Sequence, residues 1–420
     1  MFVRIVALFL ALGLAPVALA QGQEAPDDDS AYQEIDRAPH DYWKRPLKDP
    51  FTAFKADLDA GKTTLEFGDE RSFLVSLLKA LGVPASSQLL VFSTTSLQLR
   101  FITPSNPRAL YFNEEVYVGF IPGGRIEIVS LDPELGAIFY IFDIPRGPGL
   151  MRVERSDRCM NCHANEDTGY VPGLVVRSVL PGPSGGSLKS FRSGLPGHSI
   201  PLSQRFGGWY VTGLGFTNHW GNLIGRSLQD GAATRSLRPG TAFDFSRYPV
   251  AASDGLAHLL HEHQAGFVDR VVEASYRTRT YLHEGNGKLS PEHRLELERQ
   301  AETIVRYLLF ADEAPLPKDG IAGDVPFKED FLRTRRSVGG VSLKDFDLKA
   351  HLFRHRCSYM IYSRVFGGLP SEMKGRIYRR LQKALSIAQR DANYAYLPDI
   401  EKTTIRRILN ETLSDLPTGW

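Results

Sequence analysis

Cys159-Met160-Asn161-Cys162-His163 constrains this chain more than any other stretch. It reads C-x-x-C-H, the attachment sequence for haem c. The two-residue spacer lets one turn of backbone bring both thiols to the two vinyl groups of one porphyrin. The histidine that follows is carried under the ring and offers a nitrogen to the iron. A C-x-x-C pair also serves thioredoxin-like redox sites and half-sites for zinc. Zinc would need a second Cys/His pair at matched spacing, and only Cys357 remains of the three cysteines. A thioredoxin motif opens a helix after a strand, whereas this one follows the polar run Glu154-Arg155-Ser156-Asp157-Arg158. The motif occurs once, so the expected cofactor is one covalent haem c. Cys159 and Cys162 are its anchors and His163 its metal ligand.

The amino terminus points to the compartment where haem c is attached. Residues 1–20 read as a signal peptide: Arg4 is a short positive region, Ile5 to Leu14 an apolar core, and Ala18-Leu19-Ala20 a small-x-small cleavage site. The alternative, an uncleaved membrane anchor, is disfavoured because the apolar core is too short for a stable span. No later stretch is apolar enough to be a transmembrane helix. The formal net charge is +2, so neither nucleic acid nor an anionic membrane is implied as a partner. The expected location is the periplasm, and the expected partner a redox protein of the cell envelope. Cys357 lies among Phe353, Arg354, Tyr359 and Met360 and reads as a buried free thiol.

The remaining chain, about 400 residues, is long enough for two or three domains. Residues 21–36 form an acidic leader with Asp27-Asp28-Asp29 and are expected to be disordered. Residues 37–150 begin with helical spacing (51–82). They then change to period two in Leu97/Leu99/Phe101, Val116-Tyr117-Val118, Ile126 to Val129 and Ala137 to Ile144, which predicts an antiparallel meander. Residues 151–250 are the haem c-binding segment, with strands expected at Val175–Leu180 and Trp209–Thr212. Residues 251–420 are helical. One long helix runs from Ser253 to Glu284 and stops at Gly285. A second starts at Ser290-Pro291, with serine as cap and proline in the first turn. Two more span Pro370–Ala392 and Asp399–Leu416. The fold class is α+β: a β-rich amino-terminal half, the haem segment, then a helical carboxy-terminal half.

His163 supplies one axial ligand, so the other side of the iron decides the chemistry. Methionine is the usual partner in small electron carriers, but none lies between Met160 and Met360. Met360 and Met373 read as core residues. Histidine is therefore expected at the sixth position, with His219 first, then His263, then His198. His219 and His198 lie in loops around the Trp209 strand. His263 falls on the apolar stripe of the long helix with Leu256, Leu260 and Phe267, whereas His258, His261 and Glu262 point away from it. A separate zinc site is disfavoured, since His261, Glu262 and His263 are consecutive and do not match H-E-x-x-H. Arg205-Phe206-Gly207-Gly208-Trp209-Tyr210 gathers a cation for a propionate, aromatics to cover a ring and glycines for close approach. Arg205, Trp209 and Tyr210 are thus candidate cofactor contacts. Trp209 and Tyr210 read equally well as ordinary core aromatics.

Several stretches carry a resemblance. They are Leu90-Val91-Phe92-Ser93-Thr94-Thr95-Ser96-Leu97-Gln98, Pro107 to Asn113, Cys159 to His163, Val171-Pro172-Gly173, Arg205 to Gly213, His219-Trp220-Gly221-Asn222 and Glu262-His263-Gln264. On these the chain resembles exported monohaem cytochrome c proteins of environmental bacteria. The resemblance implies haem c and an envelope location and names no substrate. The function expected is periplasmic electron transfer. The alternative is a haem enzyme or sensor with an open sixth position, acting on peroxide, a nitrogen oxide or an organic molecule. A partner-recognition module carrying the haem as redox cargo is the third class.

Overall fold

Alternating apolar residues make a strand bury one face, and here both faces are buried. The computed structural model describes residues 33–147, 151–192, 194–226 and 233–420. The expected signal peptide and most of the expected acidic leader lie outside these residues. Strands β1 (Leu89–Val91), β2 (Arg108–Phe112), β3 (Val116–Phe120), β4 (Ile126–Asp132), β5 (Gly136–Phe142) and β6 (Glu154–Arg155) pair with their neighbours in chain order. After the single-turn helix α3 (Met160–His163) and the hairpin of β7 (Val179–Pro181) and β8 (Ser187–Ser190), strand β9 (Trp209–Tyr210) joins the free edge of β1. The sheet order is β6-β5-β4-β3-β2-β1-β9, and every pairing in it is antiparallel among the described residues.

The period of two sorts side chains between two layers. On one face Leu90, Tyr111, Val118, Ile128 and Ile138 pack against α1 (Pro50–Asp59) and α2 (Glu70–Ala80) through Phe51, Phe73, Leu74 and Leu77. On the other, Val91, Phe112, Tyr117, Leu131 and Phe139 face α4 (Gly255–Glu284), which meets the sheet through His261 against Phe112 and Tyr117, Gln264 at the Tyr117 hydroxyl and Val272 beside Gly136. Each such large side chain contributes on the order of 1.5–3 kcal/mol when fully buried. A one-residue slip of any strand would exchange the two sets, so the register is strongly specified.

The helix ends follow local chemistry. Asp49 accepts from Phe51 N and Thr52 N, with Pro50 in the first turn of α1. Asp254 caps α4 through Leu256 N and Ala257 N, and the chain leaves that helix at Gly285. Ser290 accepts from His293 N to start α5 (Pro291–Leu308), which packs on α4. Helices α6 (Val325–Leu332), α7 (Arg364–Gly367), α8 (Ser371–Ala384) and α9 (Asp399–Thr412) complete the helical half. One apolar core is continuous from Leu89 to Trp420. The architecture is α+β, with the antiparallel sheet in the amino-terminal half and the helices mainly in the carboxy-terminal half.

Two strand expectations need correction. Residues 97–101 form no strand. Ser96 Oγ accepts from Gln98 N, and the buried Gln98 side chain reaches Arg125 O and Glu127, so the polar residue turns inward and Leu97 and Leu99 outward. The stretch closes in a 3-10 turn at Leu99–Phe101. The strand expected over 175–180 forms only at β7. Strand β2, by contrast, was not anticipated from its pattern and is central to the sheet. No helix among the described residues is long and apolar enough to cross a membrane.

Candidate functional site

The C-x-x-C-H segment forms α3. Cys162 N and His163 N both donate to Cys159 O, at 3.1 and 3.0 Å, so one turn carries both thiols and the imidazole. Both cysteines are free; Cys162 is exposed and Cys159 half-buried. Burial raises the Cys159 thiol above its ordinary range, opposed by a hydrogen bond from Ser156. The loop after α3 returns beneath His163, and Gly173 O lies 2.9 Å from His163 Nδ1. A carbonyl only accepts, so Nδ1 carries the hydrogen and Nε2 keeps its lone pair free for a metal. The ring also rests on Phe139 of β5, centroids 4.7 Å apart. Burial lowers His163 to about 4.

Cys162 and His163 line a cleft between the sheet and α4. The sheet supplies Val91, Leu110, Tyr117 and Val129; the loop after α3 supplies Leu174, Val175 and Arg177; Trp209 of β9 and His261 of α4 complete the lining. The cleft is narrow, with about 90 Å³ of enclosed space, below the roughly 300–1,000 Å³ usual for organic-ligand sites. Arg108 borders it and pairs with Glu127 at 2.6 Å. Gly119 makes that pairing fit: a Cβ there would lie 2.8 Å from Arg108 Nη2.

His261 is 6% exposed. Its ring meets Phe112 at 5.3 Å, Tyr117 at 5.7 Å and Trp209 at 6.4 Å between centroids. No group among the described residues hydrogen-bonds its imidazole. Burial holds it down to about 4, with Glu262 opposing and Arg108 reinforcing the shift. Neither of its ring nitrogens is among the fully enclosed unpartnered atoms, and the residue lines the cleft.

The three histidines expected at the sixth position lie elsewhere. His198 Nδ1 and His263 Nδ1 are 2.8 Å apart, and His263 Nε2 is 2.7 Å from Ser358 Oγ. That pair is stacked among Tyr307 and Phe310. Burial lowers both, His263 to about 3. His219 Nδ1 accepts from Gly221 N at 3.0 Å, and its ring lies against Phe206 and Phe216. None of the three lines the cleft. Arg205 is fully engaged away from it, with Glu262 Oε2 at 3.0 Å and the carbonyls of Gly197, His198 and Ile200. Trp209 lines the cleft, its Nε1 donating to Arg177 O at 2.9 Å. Tyr210, its neighbour in β9, points to the opposite layer and donates to Pro104 O. Cys357 is buried and free.

Sequence reasoning therefore missed His261, Arg108 and Arg177 as lining residues. Only the helical periodicity of α4 bore on His261, and it pointed the wrong way. Among the described residues no three His, Cys, Asp or Glu side chains gather as they would for a free metal ion. The cleft instead offers the exposed thiol of Cys162, with Cys159 at the start of the same turn, the imidazoles of His163 and His261, apolar walls and two guanidinium groups, Arg108 paired with Glu127 and Arg177 with Asp167. That donor set has the kind of chemistry a haem c would use. No protein-family model, curated protein or solved structure matches the chain.

Proposed function

We propose that this chain is an exported haem c protein that passes single electrons to an envelope partner, and that His163 and His261 are the imidazoles that would hold its iron. The observation that carries the reading is the unpartnered, buried imidazole of His261 in the cleft that His163 lines. Bound there, haem c supplies a one-electron ferric/ferrous couple. The chain's residues do the rest. Cys159 and Cys162 would tether the ring, Gly173 O orients His163, and Trp209, Tyr117 and Leu110 would shield it from water. Arg108, now paired with Glu127, and Arg177, now paired with Asp167, are the cations that would be available to its propionates. Cys162, exposed at the mouth, marks the edge through which a partner exchanges electrons.

A second reading rests on Arg108, which lines the same cleft as His261. An imidazole and a guanidinium beside an open iron position suit acid–base work on a small oxidant, which is the enzyme or sensor class. Optical spectra of haem-loaded protein, with and without carbon monoxide, separate the two. A low-spin ferric spectrum and a ferrous form indifferent to carbon monoxide support electron transfer. A high-spin spectrum that takes up carbon monoxide moves the assignment to the second class. An unmodified mass from a host competent in haem c maturation would end both readings.

A further inference from the structure

One peptide group joins the loop under His163 to the long helix. Gly173 O accepts from His163 Nδ1 at 2.9 Å. The N–H of Leu174, the other end of the same peptide, donates to Asp269 Oδ1 at 2.7 Å. The two ends of a peptide polarise together, so an acceptor at the N–H strengthens the carbonyl as an acceptor in turn. The loop is pressed onto this carboxyl: a Cβ on Gly173 would lie 2.4 Å from Asp269 Oδ1. Gly173 N also donates back to His163 O at 2.9 Å. Asp269 is fully buried, and its Oδ2 has no hydrogen-bond partner. Burial pushes its carboxyl well above the ordinary range, with the Leu174 N–H and Arg270 opposing. A half-satisfied buried carboxyl is a poor device for stability alone, since an apolar side chain of similar shape would avoid the desolvation cost.

We infer that Asp269 is a positioning residue for His163: through the Gly173–Leu174 peptide it fixes the imidazole with its hydrogen on Nδ1 and strengthens Nε2 as an electron donor. The inference deepens the haem reading and rests on it. Ligating histidines commonly give their second N–H to a carbonyl or a carboxylate; here the two are in series. Helix α4 then serves both sides of the iron, with His261 on one side and Asp269 eight residues on, about 12 Å along the axis.

The test uses haem-loaded Asp269→Asn and Asp269→Leu, read by midpoint potential, ferric spectrum and thermal unfolding. Both variants should keep one covalent haem. Asp269→Leu should shift the ferric/ferrous equilibrium toward ferrous by about tenfold, the lower end of outer-shell effects, which is about 59 mV for one electron. Asp269→Asn should shift it less, because the amide oxygen still accepts from Leu174. Folded variants that both stay within twofold of wild type would overturn the inference. If neither variant folds, NMR of the full-length Cys159→Ser/Cys162→Ser chain decides. It should show His163 protonated at Nδ1 and a Leu174 amide proton shifted downfield and slow to exchange; the other tautomer, or a fast-exchanging Leu174 amide, overturns the coupling. Wild-type protein that takes up no haem would refute the haem reading, and the same NMR result would then judge the coupling separately.

Discussion

His163 and His261 line one cleft but rest on different strands. His163 lies on Phe139 of β5, and His261 lies edge-on to Phe112 and Tyr117 of β2 and β3. Strands β5 and β3 are two places apart in the sheet, about 10 Å at the usual spacing. That offset gives each histidine its own rigid support, one on the sheet's β6 side and one toward its β9 side.

Replacing His261 by alanine in the haem-loaded protein should turn a low-spin ferric spectrum high-spin and open the ferrous form to carbon monoxide. The equivalent changes at His198 and His219 should leave both spectra as in wild type. His263→Ala should also keep the low-spin spectrum, yet destabilise the fold by about 2–4 kcal/mol, because it empties a stacked core site and orphans His198 and Ser358. Parallel spectra and urea titrations of the four variants check this. A low-spin His261→Ala protein would remove His261 from the ligand set.

Glu262 sits beside His261 and does a different job. It holds two buried guanidiniums, Arg192 and Arg205, the latter 2% exposed. Glu262→Ala should cost about 3–5 kcal/mol, because it strands a buried charge. Glu262→Gln should cost less, since its side-chain oxygen still accepts. Equilibrium denaturation measures both. A loss below about 1 kcal/mol for the alanine variant would mean that water or another anion replaces the carboxylate.

The contrast between His261 and His263 shows how far the sequence can be read here. The ends of α4 are written in Asp254 and Gly285, and those of α5 in Ser290 and Pro291. The meander from β3 to β5 is written in its alternation. The C-x-x-C-H turn is written in its own spacing. The ligand face of α4 is not. Helical periodicity places His263 on the apolar stripe and His261 off it, which would mean an outward His261 on a surface helix. But α4 is buried on nearly all sides from Gly255 to Tyr281, and such a helix has no outward face. The stripe correctly marks His263 as core, where His198 and Ser358 satisfy it. The residues off the stripe turn to the sheet instead of to water. The pairing of β9 with β1 joins segments well over a hundred residues apart, and nothing local in either announces it. Arg108 and His261 meet in the cleft only because of that long-range closure.

Acid should weaken the fold within a definable window. Burial holds His40, His258 and His263 each down to about 3, whereas an unfolded histidine titrates near 6.5. Between those values the unfolded chain binds more protons than the folded one. The stability these neutral rings contribute is therefore complete above about pH 6.5 and is lost as pH falls toward about 3. Each ring adds up to about 1.4 kcal/mol per pH unit inside the window. Urea midpoints measured at pH 7.5, 6.0 and 5.0 should fall at each step. A midpoint that stays level across that range would mean that the rings titrate in the fold as they do in the unfolded chain.

The midpoint potential of the wild-type protein should be low, since two imidazoles stabilise ferric iron better than an imidazole with a thioether. His261→Met tests the geometry and the electronics together. Methionine is close to the imidazole in reach, flexible enough to adapt, and apolar, so it suits a wall made of Phe112, Tyr117 and Trp209. The variant should stay low-spin in the ferrous state and move to a higher potential, with the weak red-end absorption band of methionine ligation in its ferric form. Voltammetry and ferric spectra of wild type, His261→Met and His261→Ala on the same preparation give the comparison. If His261→Met behaves like His261→Ala, position 261 lies too far from the iron for a side chain of that length, and the low-spin ligand must come from another residue. If its potential equals that of wild type, position 261 does not set the couple at all.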